Sequence, residues 1–514
     1  MKKFTLSLFL SFSYVIFIIM SSCTTIDEQT SQSLAPKQTR TTKTFNEATQ
    51  LGRGINMGNM YEDNFTSEVG SPWNPLNPEY FQIISDLGFK HVRIPIRWET
   101  RSMRNAPYTI STTFLAHIKS QIDLAISKNL SVIINMHHHE ELLADPVGQK
   151  ARFLAQWKQI SQYFKNYSNK LYFEILNEPT NAVTPAVWNT LLAEGLQVIR
   201  EDNPNRYVLV GTALGGGLEG LKSLQLPVDN KLILTLHYYN PFELTHQGAD
   251  WTGADMMQWL GTKWYDTEFE RKIINQEFDY VREFSYQNNI PVHIGEFGVI
   301  DKADLPSRAR WSNYLARYFE QQGFSWAYWE FSAGFGIYDR DKKTLVREMT
   351  DALINNPIPV AGTVKRTMVY SSDFSTGSGG WILQQAGGTG TMKVQNGRLS
   401  IDVLNPGTEG WNLQLIKTGI ALQKGKKYLI TVDASSSNVR FYDLYIGENI
   451  APWTIYSGVR SFWMNDIERQ ICHLFISNEK DLSNGRIVFD LGGGIASNFK
   501  LCYFTLSEID LIAK

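Results

Sequence analysis

Residues 171–180 read LYFEILNEPT, an apolar run of strand character that ends in Asn177, Glu178 and Pro179. An amide and a carboxylate at the end of a buried strand are costly to desolvate, and chemistry is the most direct reason to keep them there. Proline removes a ladder donor and biases the residue before it towards extended backbone. The strand is therefore expected to stop here with the Glu178 carboxylate at the sheet edge, facing a cleft. A second glutamate, Glu296, ends a comparable run at residues 291–298, PVHIGEFG.

Outward from these two runs, strand-like segments recur at 54–59, 91–96, 131–137, 171–178, 207–212, 232–239, 291–298 and 325–331. Helix-length amphipathic runs such as 113–128 and 307–322 lie between them. About eight strands alternating with helices is the count for an α/β fold closed as a (β/α)8 TIM barrel. Burial of both faces of a parallel sheet explains why the strands are almost continuously apolar. An open doubly wound sheet is the alternative, but no Gly-rich phosphate loop follows the first strand. The barrel is assigned to 45–356 and a linker containing Pro359 and Gly362 to 357–367. Residues 368–514 carry short alternating strands separated by Gly/Asn/Ser turns, the pattern of an all-β jelly-roll sandwich.

The 514-residue length calls for more than one core, which fits this division. A net charge of -2 gives no electrostatic case for a nucleic-acid partner. At the N-terminus, Lys2 and Lys3 precede an apolar segment from Phe4 to Met20, then Ser21, Ser22 and Cys23. This arrangement resembles a bacterial lipoprotein signal, with residues 1–22 removed and Cys23 left to carry lipid. A plain secretory peptide or an uncleaved anchor helix is the alternative. Residues 23–44, polar and without apolar periodicity, would form a flexible tether. The expected location is thus outside the cytoplasm, lipid-anchored at the bacterial cell envelope. Cys472 and Cys502 lie on strand-like runs, either paired or as two buried thiols.

Active sites of (β/α) barrels lie at the C-terminal strand ends. There the sequence places Arg93 in VRIP, then His137, His138 and His139, then Asn177 and Glu178, His237 and Tyr239, Glu296 and Trp329. Any one of the acids alone reads best as a salt-bridged structural group; together they suit glycoside hydrolysis, in which one carboxyl protonates the leaving oxygen and the other attacks or activates water. The acid needs a pKa raised by burial and its partner one lowered by donors such as Arg93 and Tyr239. Three successive histidines on a strand point to opposite faces and cannot ligate one ion. No metal is expected in the barrel and no cofactor for catalysis. Glu174 shares the parity of Glu178, and a structural ion pair is expected for it.

The runs GINMGN, VRIPIRW, INMHHHE, FEILNEP, LHYY, HIGEFG and AYWEF, in that order along the whole barrel, resemble family 5 glycoside hydrolases, the cellulase family. The resemblance implies Glu178 as acid/base, Glu296 as nucleophile, Asn177 on the sugar 2-hydroxyl, Tyr239 orienting Glu296 and Trp329 flooring the subsite. Asn59, Arg93, His137 and His237 match further substrate-binding positions. The family usually shows a histidine pair, so His138 stays beside His137 as a candidate, the register from Asn135 favouring His137. In the sandwich, SSDFSTGSGGW, NGRLSIDV, GWNLQLIKTGIALQKGKKYLITVDA and FKLCYFTLSEIDL resemble the family 4/9 type of carbohydrate-binding module. Trp411, Trp453 and Tyr456 are its stacking candidates, with Trp381 a weaker one. A structural calcium held by Asp373 and Asp510 is also implied.

These readings converge on an exported, monomeric, retaining endo-β-glycanase acting on a β-linked polysaccharide, with β-1,4-glucan first. β-Mannan, mixed-linkage glucan and xyloglucan stay open, the choice resting on loops at 61–73 and 240–264. A catalytically silent glycan-binding surface lipoprotein is the reading from another class.

Overall fold

The computed structural model describes residues 43–514 apart from residue 478. The signal segment, Cys23 and the tether up to residue 42 fall outside the described residues. Strands β1 (Arg53–Asn56), β2 (His91–Ile94), β3 (Ser131–Asn135), β4 (Leu171–Glu174), β5 (Val208–Val210), β6 (Leu232–His237), β7 (Val292–Glu296) and β8 (Ser325–Tyr328) pair in chain order. The parallel pairing of β1 with β8 closes the barrel.

Alternation along each strand divides the work. Phe173 of β4 points outward and meets the Trp157 ring on the helix Pro146–Tyr163, with ring centroids 5.7 Å apart. Its neighbours Tyr172 and Glu174 therefore point into the barrel. Tyr172 joins Ile133, Tyr207, Leu209 and Ile233 in an apolar plug closed by Ala48 and Leu51 of the helix Lys43–Leu51. This plug shuts the end opposite the mouth. The helices start where capping chemistry allows: Thr184 accepts from Val187 N and Pro185 opens the helix Pro185–Asp202.

The strands are shorter than the apolar runs suggest. β4 stops at Glu174 rather than Glu178, and the chain continues to the mouth on single bonds such as Asn177 N to Met136 O at 2.9 Å. Apolar content reports burial, which persists past the point where tilted barrel strands diverge and lose their ladder.

After the hairpin β9 (Tyr338–Asp339) and β10 (Thr344–Leu345), the remaining strands form a two-layer antiparallel sandwich. They are β11 (Thr363–Ser372), β12 (Trp381–Gln385), β13 (Thr389–Gln395), β14 (Arg398–Asn405), β15 (Leu413–Leu422), β16 (Lys427–Ser436), β17 (Arg440–Glu448), β18 (Arg460–Met464), β19 (Arg469–Ile476), β20 (Leu482–Asp490) and β21 (Ser497–Ile512). One sheet runs β13-β14-β21-β16-β19, with β11 also on β21, and the other β12-β15-β20-β17-β18. Trp381, Phe489 and Phe504 meet between them.

Two expectations change here. Residues 363–367, read as linker, belong to β11, which pairs with β21 from Thr363 opposite Ile512; its exposed, mixed side chains are those of an edge strand. The shorter connection is pinned to the barrel, with Arg271 Nη2 donating to Pro359 O at 2.8 Å and Gly362 N to Asp266 O at 2.8 Å. Asp510, in turn, lies opposite Lys365, while Asp373 lies eight positions further along (365 to 373), roughly 26 Å of strand. The two aspartates named for calcium do not converge on one ion. Cys472 and Cys502 are both thiols. Burial pushes Cys472 up to about 12, and Cys502 Sγ donates to Glu468 Oε2 at 3.2 Å. Among the described residues no helix is long and apolar enough to cross a membrane.

Candidate active site

Arg93, on β2 and fully buried, is the hub of the barrel mouth. Its Nε and Nη2 form a two-pronged pair with Glu174 at 2.6 and 2.8 Å. Nη2 also donates to Asn177 Oδ1 at 2.7 Å, and Nη1 to Glu296 Oε1 at 2.7 Å and Asn56 Oδ1 at 2.9 Å. A guanidinium buried without partners would be prohibitive, and here two carboxylates and two amides satisfy it. Glu174 thus forms the buried ion pair expected of it.

Glu296 closes β7, its side chain 6% exposed. Its other oxygen accepts from Tyr239 OH at 3.0 Å. Glu178 is 38% exposed and looks into the cleft, and His237 Nδ1 lies 2.7 Å from its Oε1. The same nitrogen is 3.6 Å from Glu296 Oε2, and one ligating atom from each of Glu178, His237 and Glu296 lies within 4.8 Å of the others. Such a trio has the donor types of a metal site, but His237 Nδ1 is engaged by Glu178 Oε1 and Glu296 Oε2 by the Tyr239 hydroxyl.

Glu178 corrects the backbone expectation. Its φ is +45°, left-handed rather than extended, a conformation that costs a non-glycine residue about 1 kcal/mol or more. The loop after β5 makes room for it: a Cβ at Gly216 would sit 3.3 Å from Glu178 Cγ and 3.4 Å from His237 Nδ1. Gly216 O accepts from His237 N, and Pro179 O from Gly215 N. The sequence signal for this missed element is the triplet Gly215–Gly217 in the loop that follows a strand.

The histidine run splits three ways. His137 is buried, bonds Asn135 Nδ2 at 3.1 Å and stacks on Trp329, with centroids 5.6 Å apart and planes 9° from parallel. His138 is half-buried and meets His137 edge-on at 4.7 Å. His139 points away, its Nδ1 accepting from Leu142 N to cap the helix Glu140–Ala144. Asn59 lies in the turn beyond β1 with φ +63°, and its backbone N–H donates to the Glu62 carboxylate. The amide that reaches the centre is Asn56, whose Nδ2 donates to Gly295 O at 2.9 Å. Its signal was a polar residue ending the first strand with the parity of Arg93.

The electrostatics also depart from expectation. Burial raises Glu296, with the nearby Glu178 charge adding to it, against the pull of His237, Arg93 and Tyr239; it stays above the usual carboxylate range. Burial would raise Glu178 too, but the His237 hydrogen bond and charge more than offset this and hold it below. His237 is raised, burial being outweighed by the two carboxylates. The reversal arises because the imidazole sits against Glu178 rather than Glu296, with Nδ1 2.7 Å from the first carboxylate and 3.6 Å from the second.

The profile of the cellulase family, glycosyl hydrolase family 5, matches residues 54–334, which include every residue of the barrel mouth named in this section. The chain belongs to glycosyl hydrolase family 5. Within this family, Endoglucanase H of Acetivibrio thermocellus is 34% identical over 319 residues, covering 60% of this chain and 33% of that protein. The cellulase/esterase CelE of the same organism is 26% identical over 54% of this chain and 35% of its own length. The chain thus spans about a third of both relatives. The endoglucanase Cel5A of Thermotoga maritima superposes with a TM-score of 0.59 at 44% identity, covering 61% of this chain and 100% of that one. A carbohydrate-binding domain profile, of the 4/9 type, matches residues 366–493.

In that domain Trp411 is 55% and Trp453 49% exposed, and the Arg486 guanidinium lies 4.4 Å from the Trp453 ring. Tyr456 is corrected: it is 4% exposed and packs in the sandwich core, as does Trp381 at 1%. Its hydroxyl serves a local bond to Glu448 at 3.3 Å. Tyr445, missed in the sequence, shares a network with Gln414 and Asp490 on the outer face of β17, β15 and β20.

Proposed function

We propose that the barrel cleaves β-1,4-linked glucan internally by a retaining double displacement, with Glu296 as nucleophile and Glu178 as acid/base. The observation that carries this is the approach of the two carboxylates, oxygens within 4.8 Å with His237 between them. Retention needs about 5–5.5 Å between the carboxyl groups, whereas inversion needs about 6.5–9.5 Å to admit a water. Surroundings assign the roles. Glu296 is locked by Arg93 and Tyr239, as an attacking oxygen must be, and Glu178 is open to the cleft where a leaving oxygen arrives.

In the first step a Glu296 oxygen attacks the anomeric carbon while the glycosidic bond breaks, and Glu178 gives its proton to the departing oxygen. The proton comes from the Glu178–His237 pair, and moves onto the carboxyl once substrate displaces water from the cleft. In the second step Glu178 takes a proton from water, which attacks the same carbon and releases Glu296. Asn177, its oxygen held by Arg93, presents its NH2 to the sugar 2-hydroxyl. The stacked Trp329 and His137 rings form an aromatic wall for the sugar being cleaved. Trp411 and Trp453 on the sandwich hold further polymer and raise its local concentration.

A second reading, β-mannan, has one observation in its favour: Cel5A of T. maritima is solved with mannotriose as well as with cellobiose. Reducing-sugar release from β-glucans, xyloglucan and mannan, with Glu296→Gln as control, separates these. Release from none of them would leave the non-catalytic glycan-binding reading. We further propose a monomer exported and anchored by lipid on Cys23. Labelled palmitate should enter the wild type and not Cys23→Ala.

A further inference from the structure

Glu277 ends the helix Glu268–Glu277 and stands between the two domains. Its Oε2 accepts from Tyr238 OH at 2.6 Å and from Asn240 Nδ2 at 3.2 Å, while its Oε1 accepts from Arg460 Nη1, on sandwich strand β18, at 2.6 Å. Both charged side chains are largely shielded, 10% exposed for Arg460 and 15% for Glu277. Tyr238 and Asn240 flank Tyr239, whose hydroxyl donates to Glu296. The main chain of the same segment is tied as well: Tyr238 N donates to Glu296 O at 2.9 Å, and Trp311 Nε1 to Asn240 O at 3.1 Å. Around this anchor the sandwich is firmly seated. Arg469 pairs with Asp279 at 3.0 Å, Lys222 Nζ lies 4.0 Å from the Phe441 ring, and Leu429, Cys472 and Ile509 pack with Phe269 and Ile273.

We propose that Arg460 is a positioning residue for the hydrolytic reaction: through Glu277 the sandwich fixes the Tyr238–Asn240 segment, and with it the Tyr239 hydroxyl on Glu296. The carbohydrate-binding domain is then part of the catalytic unit as well as a grip on polymer. The inference rests on the reading of Glu296 as nucleophile. Without Arg460 the Glu277 carboxylate stays shielded beside Tyr238 with its countercharge gone, and the segment must shift to rehydrate it. A displacement of this kind near reacting atoms is costly in rate. Glu296 is faced by Arg93 from β2, Glu178 beyond β4, and His237 and Tyr239 at the end of β6. Of these, Tyr239 is the group that Arg460 reaches. Glu277 itself is faced by Arg460, Tyr238 and Asn240, with Arg282 and Tyr318 behind the tyrosine.

The test uses the full chain and a soluble aryl β-cellobioside too short to need the sandwich's binding face. Arg460→Met should lower kcat about tenfold with KM within about twofold. It should also move the acid limb of the pH profile upward, because Glu296 loses a hydroxyl that favours its ionised form. Arg460→Lys should recover most of both. If Arg460→Met does not fold, Arg460→Gln, which keeps a donor for Glu277 but not the countercharge, should show the same shifted limb. A wild-type kcat and profile in either variant overturns the proposal, as does a fall in kcat without a shifted limb or lysine rescue. If the wild type cleaves no glycoside, the nucleophile assignment fails first and the proposal falls with it.

Discussion

His237 Nδ1 lies 2.7 Å from Glu178 and 3.6 Å from Glu296, so one imidazole bridges both carboxylates of the site. Its own pKa is raised by them, so its proton is present below and lost above a value higher than the ordinary histidine figure of about 6.5. The alkaline limb of the kcat/KM profile should therefore lie above about pH 6.5 in the wild type. His237→Gln, which cannot store that proton, should lower kcat about 100-fold and move the alkaline limb to lower pH, as read from rates across pH 4–9.

Tyr239→Phe removes a hydroxyl that stabilises ionised Glu296. The expected result is a fall in kcat of about 10–100-fold, little change in KM and an acid limb moved to higher pH. A KM effect alone would mean that Tyr239 only binds sugar.

Arg93 compensates Glu174 and Glu296 together. Arg93→Met leaves two buried carboxylates without their countercharge, and urea unfolding should show a loss of about 3–5 kcal/mol in addition to lost turnover. Glu296→Gln should be inactive yet close to wild type in stability, since its amide oxygen still accepts from Arg93.

Trp411→Ala should weaken retention on insoluble glucan while leaving turnover of a soluble oligosaccharide unchanged. Tyr456→Ala should do the opposite of a surface change, costing about 3–5 kcal/mol of sandwich stability through a core cavity. Affinity electrophoresis and thermal melts separate the two.

The barrel was legible because burial on both sheet faces writes apolar runs, and functional groups must interrupt them at strand ends. Glu178, Glu296, Arg93 and Tyr239 were found that way. What sequence pattern could not show is which nearby residue turns inward: Asn56 and Asn59 share one short motif, yet only the first reaches Arg93. Nor could it show that Glu178 adopts a left-handed backbone before proline, because a loop thirty-odd residues away supplies the glycine that admits it. Tyr456 and Trp411 look alike as aromatic candidates, and only the packing of the two sheets separates core from surface. The pinned linker depends on Asp266 and Arg271 of the barrel, some ninety residues earlier, which leave no local trace.

The central claim is that Glu178 and Glu296 perform a retaining displacement. Proton NMR during the first minutes of cello-oligosaccharide hydrolysis tests it most directly, before mutarotation mixes the anomers. The β-anomer of the new reducing end should appear first and the α-anomer only later. Initial release of the α-anomer would contradict the account.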